Sequence, residues 1–196
     1  MRTWKVGILL FGEVEVLDFA GPFEVFSVTR AEDGGRPFDV YTVAQEKRLV
    51  KARNGLRVEP RCSFEDAPAF DIVIVPGGYG AEEIEIHNRA LIGWLRDRAA
   101  QAAIIASVCT GAFLLAEAGL LSGRRATTHW MDLDRLERQY PHVTVERNTR
   151  FVDEGNLITS AGISAGIDMC LHLVGRLLGA EVAMATAKRM EYAPRA

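Results

Sequence analysis

The sequence predicts an α/β fold, an open parallel sheet sandwiched by helices. Two observations carry this. Branched apolar runs alternate with segments of helical periodicity along the chain, the pattern of strand–helix–strand units. Several of the runs, "WKVGILLF" (4–11), "FDIVIVPGG" (70–78) and "AAIIASV" (102–108), are apolar almost throughout. Strands covered on both faces read that way. No linker, repeat or low-complexity stretch divides the 196 residues, so residues 1–196 are expected to form one domain.

Taken in order, "WKVGILLF" is the first strand, bounded by Gly12. "FAGPFEVFSVT" (19–29) reads as a helix that tolerates Pro22 in its first turn. "FDVYTVA" (38–44) is a second strand. In "RLVKARNGLRVEP" (48–60), Asn54-Gly55 between extended segments signals a hairpin. "FDIVIVPGG" is a buried strand ending in a glycine pair. "HNRALIGWLRDRAAQ" (87–101) is an amphipathic helix, with Ala90, Leu91, Trp94, Leu95 and Arg98 at three- and four-residue spacing. The strand before Cys109 is followed by a helix over 111–118. "MDLDRLERQY" (131–140) is a helix stopped by Pro141, and 143–162 is extended with a turn at Glu154-Gly155. Helices over 163–178 and 180–190 close the chain.

Composition narrows the function. The net charge is −3 and the basic residues are scattered, so neither nucleic acid nor an anionic membrane is expected as a partner. No signal segment is visible at the start, and no run of about 18 apolar residues occurs. A cytoplasmic location is expected. The three cysteines, Cys62, Cys109 and Cys170, are odd in number and lack a C-x-x-C pair. That argues against disulfides and against a zinc site, and no metal or cofactor is expected. Cys62 reads as a loop residue and Cys170 as a helix residue, neither with a role.

Open α/β sheets bind ligands beyond the carboxyl ends of their strands. Asp18, the pair Gly77 and Gly78, and Cys109 each follow a strand. If those strands are neighbours, the three features share one rim. "SVCTG" (107–111) spaces small residues two either side of Cys109, the pattern of a nucleophile elbow with a thiol in place of a hydroxyl. A helix N-terminus there favours the thiolate. The N–H groups of Thr110 and Gly78 are candidate donors to an anion, with Gly77 beside them. Simpler readings stand next to these. Asp18 is equally placed to cap the helix it precedes, Thr110 to be an ordinary first-turn residue, and the glycine pair to form a tight turn.

Four stretches, "LLFGEVEVLDFAGPFEVF" (9–26), "DIVIVPGGYG" (71–80), "ASVCTGAFLLAEAGLLSGRRATTHW" (106–130) and "NLITSAGISAGIDMCLHLV" (156–174), make the chain resemble the ThiJ/PfpI superfamily. The resemblance implies a flavodoxin-like, class I glutamine-amidotransferase-like fold with a nucleophile elbow. Two branches share these motifs: isonitrile hydratases, and the sensor domains of AraC-type regulators. The protease branch carries His after the cysteine, where this chain has Thr110. A regulator needs a helix-turn-helix region, and the sequence runs to "EYAPRA" without one, so a stand-alone enzyme is expected.

The resemblance to the hydratases implies a catalytic set of Asp18, Cys109 and Thr110. The thiolate would attack the terminal isonitrile carbon, and Asp18 would move the proton. His129 matches a recurrent family position and is a candidate neighbour of the thiolate, or a structural histidine. Asp168 is placed either near the same rim or at a partner subunit, with a helix-dipole role as the alternative. Gly12, Tyr79 and the segments around Trp130 and Ile163 are expected pocket walls. The expected partners are a small-molecule substrate and a second copy of the chain, as a homodimer. Another cysteine hydrolase, an amidase or deglycase, and a non-catalytic small-molecule or redox sensor remain the alternatives.

Overall fold

The computed structural model describes residues 2–195. In chain order the elements are β1 (Trp4–Leu9), α1 (Val16–Val28), β2 (Phe38–Ala44), β3 (Val50–Lys51), β4 (Arg57–Val58), β5 (Cys62–Ser63) and β6 (Ile72–Val75). There follow α2 (Arg89–Ala99), β7 (Ile104–Val108), α3 (Gly111–Glu117), β8 (Arg125–Ala126), α4 (Leu133–Gln139) and β9 (Thr144–Val145). The chain ends with β10 (Phe151–Asp153), β11 (Leu157–Ser160), α5 (Ala165–Leu178) and α6 (Ala180–Arg189).

One seven-stranded sheet runs in the order β10-β11-β7-β6-β1-β2-β5. All its pairings are parallel except that of β10 with β11. The apolar runs explain the order. The four residues of β6 are wholly buried, so β6 lies inside the sheet between β1 and β7. Helices α1, α5 and α6 pack together, as do α2 and α3, and the sheet lies between. Among the described residues no helix is long and apolar enough to cross a membrane.

The order sets β1, β6 and β7 side by side, with register Val6↔Ile72 and Ile72↔Ile104. Their carboxyl ends therefore share a rim, the condition posed by the sequence. Two glycines bring helices down onto it. A Cβ on Gly111 would lie 2.1 Å from the Val75 carbonyl oxygen, so α3 starts against the backbone of β6. A Cβ on Gly166 would lie 2.8 Å from Val108 Cγ1, so α5 presses on the last residue of β7.

Several local expectations change. Helix α1 starts at Val16, not at Phe19, because Glu15 already has the extended backbone of an N-cap. Pro22 thus lies inside the helix rather than in its first turn, and Asp18 is a helical residue rather than its cap. Cys62 is not in a loop: β5 pairs with β2 at the sheet edge, Val43↔Cys62. The Asn54-Gly55 turn forms as expected, with φ of 59° and 90° and Val50 opposite Val58. The sequence reading gave no sign of a π-helical turn at Gly80–Ile84, a 3₁₀ turn at Glu85–His87, or the short pair β8–β9.

Candidate active site

Cys109 occupies the bend between β7 and α3 in a left-handed conformation, φ 54°. A non-glycine residue there is strained and persists only where its surroundings hold it. They do so at three points. The Cys109 N–H donates to the Ala161 carbonyl at 3.2 Å, and the Thr128 hydroxyl donates to the Cys109 carbonyl at 2.9 Å. On the far side, the N–H groups of Thr110 and Ile163 both face the sulfur. Ile163 is itself left-handed, φ 50°, an outlier for a β-branched residue.

Asp18 meets this bend from below. It is fully buried, and its Oδ2 accepts a hydrogen bond from the Gly77 amide at 3.0 Å. Oδ1 completes no hydrogen bond of standard geometry, although the Cys109 thiol beside the carboxyl favours its charged form. Burial dominates and pushes the Asp18 pKa up to about 7. The Gly77 amide pulls the other way, and the charge of Glu15 adds to the rise. Burial likewise raises the thiol of Cys109, and the Asp18 carboxylate raises it further. The two facing N–H groups recover only part of this.

Against the expected thiolate, with only 6% of its surface exposed and a carboxyl group alongside, Cys109 is pushed toward the thiol form. The short helix α3 does not offset the loss of water. The donor expectation changes as well. The Gly77 amide is committed to Asp18, and the Gly78 amide donates to Thr110 Oγ1 at 2.9 Å. Of the expected donors the Thr110 amide does face the sulfur, and its companion is the Ile163 amide rather than that of Gly78. Thr110 precedes the first turn of α3 and its hydroxyl makes no capping bond, because it is turned toward Gly78.

A cavity of about 420 Å³ opens over the thiol. Cys109, Thr110, Gly78, His129 and Ile163 line it, together with Glu82, which the sequence reading did not single out. Glu15, Arg53 and Asp132 complete its polar wall. Asp18 is not part of the lining, so it reaches the cavity through the thiol. Of the expected walls, the segments around Trp130 and Ile163 are present, through His129, Met131 and Ile163 itself. Gly12 lines a separate cavity of about 520 Å³ with Gln45, Arg48 and Lys51, and Tyr79 and Trp130 are exposed at 51% and 73%.

His129 faces the cavity, but its Nδ1 sits 3.5 Å from Asp132 Oδ2 and its ring packs on Gly162. Asp168 is not at this rim. It is buried in the first turn of α5, where it pairs with Arg150 and accepts from Tyr192 Oη and the Arg195 amide, each at 3.0 Å. Its polar partners all lie on the β10 side of the molecule and on the C-terminal tail. A buried carboxylate needs such partners, which is the reason for the displacement.

The geometry joins a buried thiol, a carboxyl group titrating near neutrality and a polar cavity. Such a set can add a nucleophile to an electrophilic carbon and move protons to and from it. Known proteins resemble this chain in sequence and fold. The isonitrile hydratase of Pseudomonas putida is 37% identical over 190 residues, 97% of this chain and 79% of that protein. The HTH-type transcriptional regulator GbdR of Pseudomonas aeruginosa is 32% identical over 96% of this chain, which spans only about half (50%) of the regulator's length. The crystal structure of a ThiJ/PfpI family protein from Pseudomonas syringae superposes with a TM-score of 0.88 at 30% identity, covering 100% of this chain and 78% of that one. Drosophila melanogaster DJ-1beta, at 23% identity and a TM-score of 0.82, shares the fold over 98% of this chain and 100% of its own. The pattern of the DJ-1/PfpI family runs from residue 4 to residue 176, from the first strand into α5, and on that match this chain belongs to the DJ-1/PfpI family.

Proposed function

We propose that the chain is an isonitrile hydratase-like enzyme, converting an isocyanide R–NC to the formamide R–NH–CHO through a thioimidate on Cys109. The observation that carries this reading is the pairing of a buried thiol with a carboxyl group whose pKa lies near 7. A general base works best when it titrates close to the working pH. The 37% identity to the Pseudomonas putida isonitrile hydratase supports the same reading.

In the first half, the Asp18 carboxylate takes the thiol proton while sulfur forms a bond to the isonitrile carbon. Asp18 then returns that proton to the same carbon, giving R–N=CH–S–Cys109. The Thr110 and Ile163 amides face the sulfur and offset negative charge on it. In the second half, water adds to the thioimidate carbon. The carbon–sulfur bond breaks, the formamide leaves, and the thiol is restored. Thr110, fixed by the Gly78 amide, holds the wall next to the reacting carbon.

Incubation with an alkyl isonitrile, followed by NMR, is expected to show the matching formamide. Cys109→Ala should release none. Absence of formamide at high enzyme concentration would remove the hydratase reading. A second reading, a sensor that binds a small molecule without turnover, rests on the likeness to GbdR over 96% of the chain. It predicts that the isonitrile is retained unchanged.

A further inference from the structure

The second half of the proposed reaction needs a group to accept a proton from water, and Asp18 is shut beneath the thiol, outside the cavity lining. Glu82 is the carboxylate placed for it. It lies on the cavity wall with Cys109 and Thr110. Its Oε2 is closed off from solvent and has no hydrogen-bond partner, a state that calls for an explanation.

The backbone around Glu82 is built to hold it there. It sits in the π-helical turn Gly80–Ile84, a form that concentrates at functional sites. The turn is drawn against the loop after β1: the Gly80 amide donates to the Glu13 carbonyl at 3.2 Å, and a Cβ on Gly80 would lie 1.9 Å from the Gly12 carbonyl oxygen. Arg135 clamps it from the other side. Its guanidinium donates to the Glu82 carbonyl at 3.0 Å and pairs with Glu83 at 2.6 Å.

The Thr110 hydroxyl links Glu82 to the thiol's bend. Its oxygen accepts from the Gly78 amide at 2.9 Å, while its own route back to the Gly78 carbonyl is long at 3.4 Å. The hydroxyl also lies near the Glu82 carboxyl, where it favours the charged form. Burial and the nearby charge of Asp132 act the other way and raise the Glu82 pKa, as suits a group that must both take and give a proton.

We infer that Glu82 is a second catalytic residue of this cavity, the base for the hydrolytic water and the acid for the substrate nitrogen; this rests on the hydratase reading above. The protons balance as follows. As the water oxygen bonds to the thioimidate carbon, one water proton passes to Glu82 and the C=N electron pair moves to nitrogen. Glu82 gives its proton to that nitrogen. As C=O forms and C–S breaks, the second water proton passes to Glu82, free again on the cavity wall, and on to the leaving sulfur. Enzyme and both carboxylates end as they began.

The test compares wild type, Glu82→Gln and Glu82→Asp on an alkyl isonitrile, with intact-protein mass spectrometry and formamide NMR on the same samples. Glu82→Gln should form the covalent adduct on Cys109 at near the wild-type rate, accumulate it, and release formamide roughly 10²–10⁴-fold more slowly. Glu82→Asp should recover part of the release and gives the same comparison should Glu82→Gln not fold. Formamide release by Glu82→Gln at the wild-type rate overturns the role of Glu82 and leaves the hydratase reading intact. Slow release without adduct also overturns it, since the first half would then be the damaged step. A wild-type protein that yields no formamide overturns both.

Discussion

The Gly77 amide donates to Asp18 Oδ2 at 3.0 Å, across 59 residues of sequence and inside the core. That one bond does not compensate the loss of water, so the folded protein holds a proton on Asp18 up to about pH 7, against an ordinary value of 3.8. Between those two pH values the folded state carries a proton that the unfolded state has lost. The contribution of Asp18 to stability is therefore greatest below about pH 4 and falls as pH rises toward 7. The fall amounts to about 4 kcal/mol. Urea melts from pH 4 to 8 should show wild type losing stability relative to Asp18→Asn across that window. Parallel curves would mean that Asp18 titrates as an ordinary aspartate.

The same carboxyl group sets the pH dependence of the proposed chemistry. Only ionised Asp18 accepts the thiol proton, so kcat/KM should climb about tenfold per pH unit below 7 and level off above it. The thiol, raised by burial and by Asp18, should not supply a lower limb. A profile with its midpoint near pH 4 would exclude Asp18 as the base.

The left-handed φ of Cys109, 54°, makes a prediction separate from activity. Glycine accepts that conformation freely and alanine does not. Cys109→Gly should be more stable than Cys109→Ala by about 1 kcal/mol, with both variants unable to form the adduct. Equal stabilities would show that the bend relaxes once the sulfur is gone.

Asp168 should prove structural. Its carboxylate is buried and joins Arg150, Tyr192 and the Arg195 amide. Asp168→Ala leaves Arg150 without its partner and should destabilise the fold by about 3 kcal/mol. Turnover per folded molecule should be unchanged. A stable variant that has lost turnover would return Asp168 to the catalytic machinery.

The sheet was legible because strands buried on both faces have few apolar alternatives: Ile72–Val75 could hardly be anything but an interior strand. The bend at Cys109 was legible because small residues must flank it. Charge state was not. Whether a thiol ionises depends on how burial and one neighbouring carboxyl group weigh against two amides, and those neighbours come from residues 18, 110 and 163. That the amides of Gly77 and Gly78 are taken up was not legible either, since their partners, Asp18 and Thr110, come from other strand ends. Glu82 left no signal, since a π-helical turn has no distinctive periodicity over five residues and its neighbour Glu83 is an ordinary surface acid paired with Arg135.

Gly166 does not itself line the cavity, yet a Cβ there would lie 2.8 Å from Val108, the residue before the thiol. Two positions along the same helix, Asp168 fastens the tail at Arg195. Tail and bend thus rest on the same helix. A methyl group at position 166 would press on Val108, and so on the strand end that carries the thiol, while every atom that meets the substrate kept its identity.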